Sequence, residues 1–263
     1  MTSRLTKTFA SFFLTGTILS GAAQAQGLFG SSPADDSFYV SGFVGATFPG
    51  DADFSGTQEP DAAIPAAVGG SVAGAGANVD LDFGTDIYYG GALGYQLPFQ
   101  FYNTFHPRIE IEVSYSEADV DSGAFNDGIQ TFSGDQTNLF VYANNFTDIR
   151  WTDNQVIVPY IGGGLGIAIV DTSVEYFPGT VAGSPPTFVL EESSDIGLAT
   201  HTTLGVSFAA NDTFEIYTEG RYQNTYFVDA ERRFVGGGAD LFNADVDDTL
   251  DGFTLTAGLR YRF

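Results

Sequence analysis

Phe253-Thr254-Leu255-Thr256-Ala257-Gly258-Leu259-Arg260-Tyr261-Arg262-Phe263 ends the chain on a strict alternation. Phe253, Leu255, Ala257, Leu259, Tyr261 and Phe263 fall on one side. Thr254, Thr256, Gly258, Arg260 and Arg262 fall on the other, which is the two-residue period of a strand with one apolar face. The same period runs through 108–116, where Ile109, Ile111, Val113 and Tyr115 oppose Arg108, Glu110, Glu112, Ser114 and Ser116. It recurs in 214–227, with Glu215, Tyr217, Glu219, Arg221 and Gln223 on one face, and in 196–208, with Ala199, His201, Thr203, Gly205 and Ser207 on one face.

Four further segments read as strands with looser patterning: 37–48, 86–97, 138–149 and 158–170. Each of the eight is about 10 to 14 residues, longer than the usual soluble strand and close to the roughly 9 to 11 residues that cross a bilayer when tilted. The connections alternate as well. Those at 98–107, 150–156 and 209–213 are short, whereas those at 49–85, 118–136, 171–195 and 228–250 are long, polar and acidic. Short turns on one rim and long loops on the other match a membrane-spanning antiparallel barrel with its short turns in the periplasm. No window offers the long apolar run of a membrane helix.

Composition narrows the function classes. The chain has no Cys, which removes disulfides, thiol catalysis and thiolate-held zinc. A formal net charge of −24 disfavours nucleic acid, because phosphate binding needs clustered Lys and Arg. With 43% hydrophobic and 15% aromatic residues, the chain is not a disordered acidic tail.

The N-terminus has its own logic. Arg4 and Lys7 precede an apolar, small-residue stretch over 8–19, and Ala23-Gln24-Ala25 precedes Gln26. These are the three parts of a secretory signal peptide. The expected organisation is a cleaved signal peptide at 1–25, a short segment at 26–36 and a barrel domain at 37–263.

Several stretches carry a family resemblance: the secretion signal, Phe38-Tyr39-Val40-Ser41-Gly42-Phe43-Val44-Gly45, Val158-Pro159-Tyr160-Ile161-Gly162-Gly163-Gly164-Leu165-Gly166, and the ending Gly258-Leu259-Arg260-Tyr261-Arg262-Phe263. In this order they resemble the small eight-stranded outer-membrane proteins, namely the opacity-type surface proteins and the transmembrane half of the OmpA-like, porin-like group. The resemblance covers essentially the whole mature chain. It implies an all-β, eight-stranded antiparallel transmembrane β-barrel in the cell outer membrane. Ten strands result if part of loop one forms a hairpin. It also implies that Phe253, Leu259, Tyr261 and Phe263 form the signal read by the barrel-assembly machinery. No periplasmic peptidoglycan-binding domain follows Phe263, so tethering to the cell wall is not expected.

If the apolar faces meet lipid, Arg108, Glu110, Glu112, His201, Glu215, Glu219, Arg221, Arg260 and Arg262 point into one narrow lumen and pair there. The glycines of 162–166 are read as making room for bulky neighbours. Amphipathic rings gather at both membrane interfaces, with Tyr88, Tyr89, Tyr176, Phe177, Tyr226 and Phe227 assigned to the outer one. Asp51, Asp53, Ser55 and Glu59 resemble the first part of a calcium loop, but Ala62 stands where a bidentate Glu is needed. A solvated acidic loop is the default reading there. Asp245, Asp247, Asp248 and Asp251 form a second acidic cluster.

Neither His106 nor His201 lies in a recognisable hydrolase pattern, so no enzyme activity and no cofactor are expected. The expected partners are outer-membrane lipids and lipopolysaccharide, together with the assembly machinery during biogenesis. The chain is expected to be a monomer. The role read from the sequence is structural or surface-exposed and porin-like. A narrow cation-preferring channel is the alternative, and a lipid-modifying enzyme comes third.

Overall fold

The computed structural model describes residues 37–58, 74–128, 130–152, 155–178, 188–191, 195–211, 213–234 and 244–263. The expected signal peptide at 1–25 and the segment at 26–36 lie outside the described residues. Eleven strand segments are present among those described: β1 Ser37–Pro49, β2 Ala52–Gln58, β3 Gly76–Phe83, β4 Asp86–Gln96, β5 Phe105–Phe125, β6 Gln130–Ile149, β7 Ile157–Pro178, β8 Phe188–Glu191, β9 Asp195–Ala209, β10 Phe214–Phe234 and β11 Ala244–Arg262.

Antiparallel pairing runs β1–β4–β5–β6–β7–β9–β10–β11 and returns from β11 to β1, so eight strands close on themselves. Closure leaves no unpaired edge, which is the condition for a sheet to stand in hydrocarbon. The hairpin in loop one does form, as β2 and β3, but it adds nothing to the ring number. Thr47 pairs with Asp86, and Ala52 then pairs with Leu81 in the same register, so β2 continues β1 and β3 continues β4. Likewise β8 continues β9 between β7 and β10. The barrel therefore has two storeys with the same eightfold ring.

The storeys have opposite polarity, and the switch is written along single strands. In β5, Ile109, Ile111 and Val113 face outward while Arg108, Glu110, Glu112, Ser114 and Ser116 are buried inside. Beyond Ser116 the outward residues become Glu117, Asp119 and Asp121, and the inward ones become Ala118 and Val120. β7 makes the same change between Ile167, which is outward, and the buried Val170, Val174 and Tyr176. Where hydrocarbon surrounds the wall, apolar groups go out and polar ones in. Where water surrounds it, the preference reverses. The second storey thus has an ordinary apolar core of Phe54, Val79, Leu81, Phe132, Val174, Tyr176, Val246 and Leu250.

This corrects the expectation of long loops at 118–136, 171–195 and 228–250. β5 and β6 run on to a tight turn at Asn126 and Asp127, both with positive φ, as a short hairpin requires. β7, β10 and β11 extend similarly. β3 likewise takes up 76–83 of the connection expected at 49–85. The turn between β4 and β5 is tight too, with Tyr102 and Asn103 at φ 52°.

Aromatic rings crowd the short-turn rim, where Phe38 and Tyr95 lie 4.8 Å apart and Tyr261 and Phe263 5.1 Å apart. A second set marks the junction between storeys, with Tyr89 against Tyr115 at 5.5 Å and Phe48 against Phe253 at 6.4 Å. Tyr88 and Tyr176, expected in that outer girdle, instead point inward and are fully buried. They are on the inward phase of their strands, as a one-residue offset dictates.

Candidate functional site

The lumen of the membrane storey gathers the charged residues, in two layers. In the lower layer Arg108 is buried, its Nε donates to Asp148 Oδ1 at 3.0 Å, and its Nη1 bonds Glu110 and the Tyr39 hydroxyl. Tyr39 donates in turn to Glu110 Oε1 at 2.6 Å. The guanidinium carbon lies 4.2 Å from the centre of the Phe146 ring and 4.7 Å from that of Tyr160, within reach of a cation–π contact. Beside it Arg260 and Arg262 share Glu215, at 2.6 Å to Oε2 and 2.8 Å to Oε1. Arg150, at the short-turn mouth, reaches Asp148 at 3.3 Å.

In the upper layer Arg221 grips Glu112 with both terminal nitrogens, at 2.6 and 2.9 Å, and stands 3.4 Å from Glu219. Glu112 also accepts from Ser114 at 3.0 Å and Asn144 at 2.8 Å. Glu219 accepts from Tyr160 at 2.8 Å. His201 sits between Asn144 Oδ1, 2.9 Å from Nε2, and the Thr203 hydroxyl, 3.0 Å from Nδ1. Because the carboxamide oxygen can only accept, Nε2 is the nitrogen that carries the proton.

All nine charged or titratable residues that the sequence places in the lumen lie inside the ring. Asp148, Asn144 and the tyrosines Tyr39, Tyr88, Tyr142 and Tyr160 lie inside as well, beyond the residues expected there, and Tyr217 joins them on the face expected for it. Their signal was present: Tyr142, Asn144, Phe146 and Asp148 alternate along β6 in phase with its buried face. Glycine opposite each large ring makes the layers possible. Gly94 faces Tyr39 and Gly162 faces Phe146 across the ladder, and a Cβ at either would run into the ring.

Above the Arg221 layer lies a cavity of about 40 Å³, lined by Thr47, Ser116, Gln136, Gln223, Thr225 and Phe140 among others. At about 10 to 15 Å³ per water it has room for about three waters. Among the described residues, Gln223 Oε1 has no hydrogen-bond partner.

Phe253, Leu259, Tyr261 and Phe263, expected to form the assembly signal, all face outward. Of the calcium-loop candidates, Asp53 and Ser55 lie two residues apart on β2, where side chains of one face stand about 7 Å apart, and Asp51 lies just before the strand. Glu59 lies outside the described residues. Among the described residues, no group of three or more His, Cys, Asp or Glu is placed to hold a metal.

The outer face of the second storey is carboxylate-rich by register: Asp53 opposes Asp80, Asp119 opposes Asp135, and Asp229 opposes Asp247. Partial burial raises the Asp51 carboxyl above its ordinary value, and the neighbouring Asp82, to which it is hydrogen-bonded, raises it further. Asp80 is raised by burial and then by Asp53. Burial also raises Asp248, against backbone N–H groups of Thr249 and Asp53 that favour its charged form.

Neither a protein-family model nor a curated protein matches the chain. Among solved structures it is similar to the outer membrane protein OprG from Pseudomonas aeruginosa, with 17% identity and a TM-score of 0.48 over 87% of this chain and 96% of that one. It is similar to the outer membrane protease OmpT from Escherichia coli, with 10% identity and a TM-score of 0.49 over 87% and 97%. Neisserial surface protein A gives 16% identity and a TM-score of 0.37 over 86% and 97%.

Proposed function

We propose that the protein is an outer-membrane barrel with a structural, surface-presenting role. It holds a carboxylate-faced platform above the lipid and does not conduct solutes. The supporting observation is the Arg221 layer. A guanidinium inside the lumen is bound bidentately to Glu112 and flanked by Glu219, Tyr88 and Tyr142, and an apolar core of buried side chains occupies the second storey above it. An eight-stranded ring has an interior that side chains just fill. The charged groups lock the lumen rather than line a pore.

The short turns face the periplasm and the two-storey rim faces outward, beside lipopolysaccharide, in this reading. No catalytic relay is assigned, since His201 takes Asn144 and Thr203 as its partners. Planar-bilayer recording of the refolded mature chain tests the proposal. The expected record is silent at potentials of about 100 mV in molar salt. Stable, cation-selective current steps from the wild-type protein would establish the narrow-channel alternative instead. Mass spectrometry of lipid A with and without the protein tests for lipid modification, and no mass change is expected.

A further inference from the structure

The lipid-facing band is not uniform around the ring. Across β11, β1, β4 and β5 its outward side chains are aliphatic or aromatic, interrupted only by glycines and Pro107. On β6, β7 and β9 the pattern breaks. Asn145 and Thr147 point outward on β6, Thr202 points outward on β9, and Gly163 lies between them on β7. Asn145, Gly163 and Thr202 are one register row, because Asn145 pairs with Gly163 and Thr202 pairs with Gly163 from the other side. Gly163 puts no side chain between the carboxamide and the hydroxyl, and Ile161 and Leu165 flank it on the outward phase of β7.

Asn145 is exposed and has no side-chain hydrogen-bond partner among the described residues. It is also deep. Four residues separate it from the short-turn end of β6 at Ile149. At about 3.3 Å per residue along a strand tilted by roughly 40°, it sits about 10 Å inside the band. Lipid headgroups do not reach there, and an unpaired amide in hydrocarbon costs several kcal/mol. By contrast, Thr218, an outward hydroxyl on β10, is satisfied by the Thr256 carbonyl at 2.8 Å.

In place of the monomer expected from the sequence, we propose that the β6–β7–β9 wall is a contact between two copies of this chain within the membrane, centred on Asn145. A carboxamide carries donor and acceptor together and is its own complement. Two barrels inserted in the same sense are related by a two-fold axis along the membrane normal, which keeps every residue at its own depth. Asn145 therefore meets its counterpart in the second copy and exchanges two N–H···O=C bonds. Ala143, Thr147, Gly163 and Thr202 are short enough to let the two walls approach.

The chain has no Cys, so engineered thiols report contacts without background. The mature protein is refolded in density-matched detergent micelles and examined by sedimentation equilibrium, with folding checked by its unheated gel mobility. The expected wild-type mass is that of two chains. Asn145→Leu is expected to weaken association about tenfold or more, the equivalent of one or two intramembrane hydrogen bonds. In parallel, Asn145→Cys is expected to form a disulfide dimer on mild oxidation, whereas Leu93→Cys, also exposed but on β4 across the ring, is not. A monomeric wild-type mass at every protein-to-detergent ratio overturns the proposal, as does equal cross-linking at the two positions. If Asn145→Leu fails to fold, the cross-linking comparison decides alone.

Discussion

Replacing Arg221 by Met isolates what the lumen charges contribute. The guanidinium is buried, and it is bonded to Glu112 at 2.6 and 2.9 Å and to the Tyr88 hydroxyl at 3.0 Å. Met fills comparable length without a charge. Glu112 then keeps Ser114 and Asn144 as donors but loses its counter-ion, and Glu219 loses the arginine beside it. Leaving one member of a buried pair unmatched costs on the order of 3 to 5 kcal/mol. With a urea slope of about 2 kcal/mol per molar, the unfolding midpoint falls by about 2 M.

The double variant Arg221→Met with Glu112→Leu removes both charges, and it is expected to recover most of that loss, because an apolar pair of similar volume is often as stable as the ion pair it replaces. The double-mutant cycle should therefore return a coupling of about 2 kcal/mol or more. Urea titration of the refolded protein in bilayers, followed by the fluorescence of Trp151, the only tryptophan, supplies the numbers. A loss below about 1 kcal/mol for the single variant, the size of a solvent-screened pair, would show that water enters the lumen freely. That result would refute the account of the lumen as a lock and would weaken the closed-barrel reading with it.

Four further outcomes follow from the geometry. Asp53→Asn and Asp119→Asn each relieve a directly opposed carboxylate pair and are expected to stabilise the second storey by about 0.2 to 1 kcal/mol, measured by amide exchange in β2–β3 and β5–β6. Because Asp51, Asp80 and Asp248 bind protons more tightly folded than unfolded, they contribute stability below the ordinary carboxylate range that is lost as pH rises through their raised values. The same exchange measured across that range should show the second storey loosening on the alkaline side. Gly94→Val drives a side chain into the Tyr39 ring and is expected to cost about 3 kcal/mol or more, or to abolish refolding. Deleting Phe263 is expected to slow insertion by the assembly machinery while leaving detergent refolding intact, because its ring is exposed and packs against Tyr261 at the rim.

Period-two patterning made the ring legible, because the residues that face lipid and those that face the lumen differ in kind. The limits of that reading are as instructive. Glu117-Ala118-Asp119-Val120-Asp121 alternates as strictly as Ile109-Glu110-Ile111-Glu112-Val113, but with its polar set on the opposite phase, and it reads as an acidic loop when one polarity is assumed throughout. A polarity inversion at constant period is the mark of a strand leaving hydrocarbon for water. Asp148 escaped notice for another reason. It lies among Tyr142, Asn144 and Phe146, and a face that mixes rings with polar groups does not look polar in the sequence although all four are buried together. Gly94 and Gly162 explain the aromatics of the lumen only once the cross-strand partners Tyr39 and Phe146 are known, and register was not available from the sequence.

The two kinds of acid in this chain obey different rules, and solvent decides which applies. Inside the membrane storey Glu110, Glu112, Asp148, Glu215 and Glu219 each have an arginine within 3.4 Å, because a carboxylate without water must find a cation or lose its charge. On the second storey the ladder sets Asp53 against Asp80 and Asp119 against Asp135, which water and mobile ions tolerate at small cost. That tolerated repulsion also has a use in this architecture. A charged outward residue resists entering hydrocarbon, so a rim whose outward positions are Glu117, Asp119 and Asp121 on β5 fixes where the apolar band ends. The aromatic pairs Tyr89–Tyr115 and Phe48–Phe253 lie immediately below, at the level where amphipathic rings settle. Depth in the membrane is thus held from above by carboxylates and from below by rings, while the arginines hold the ring closed from within.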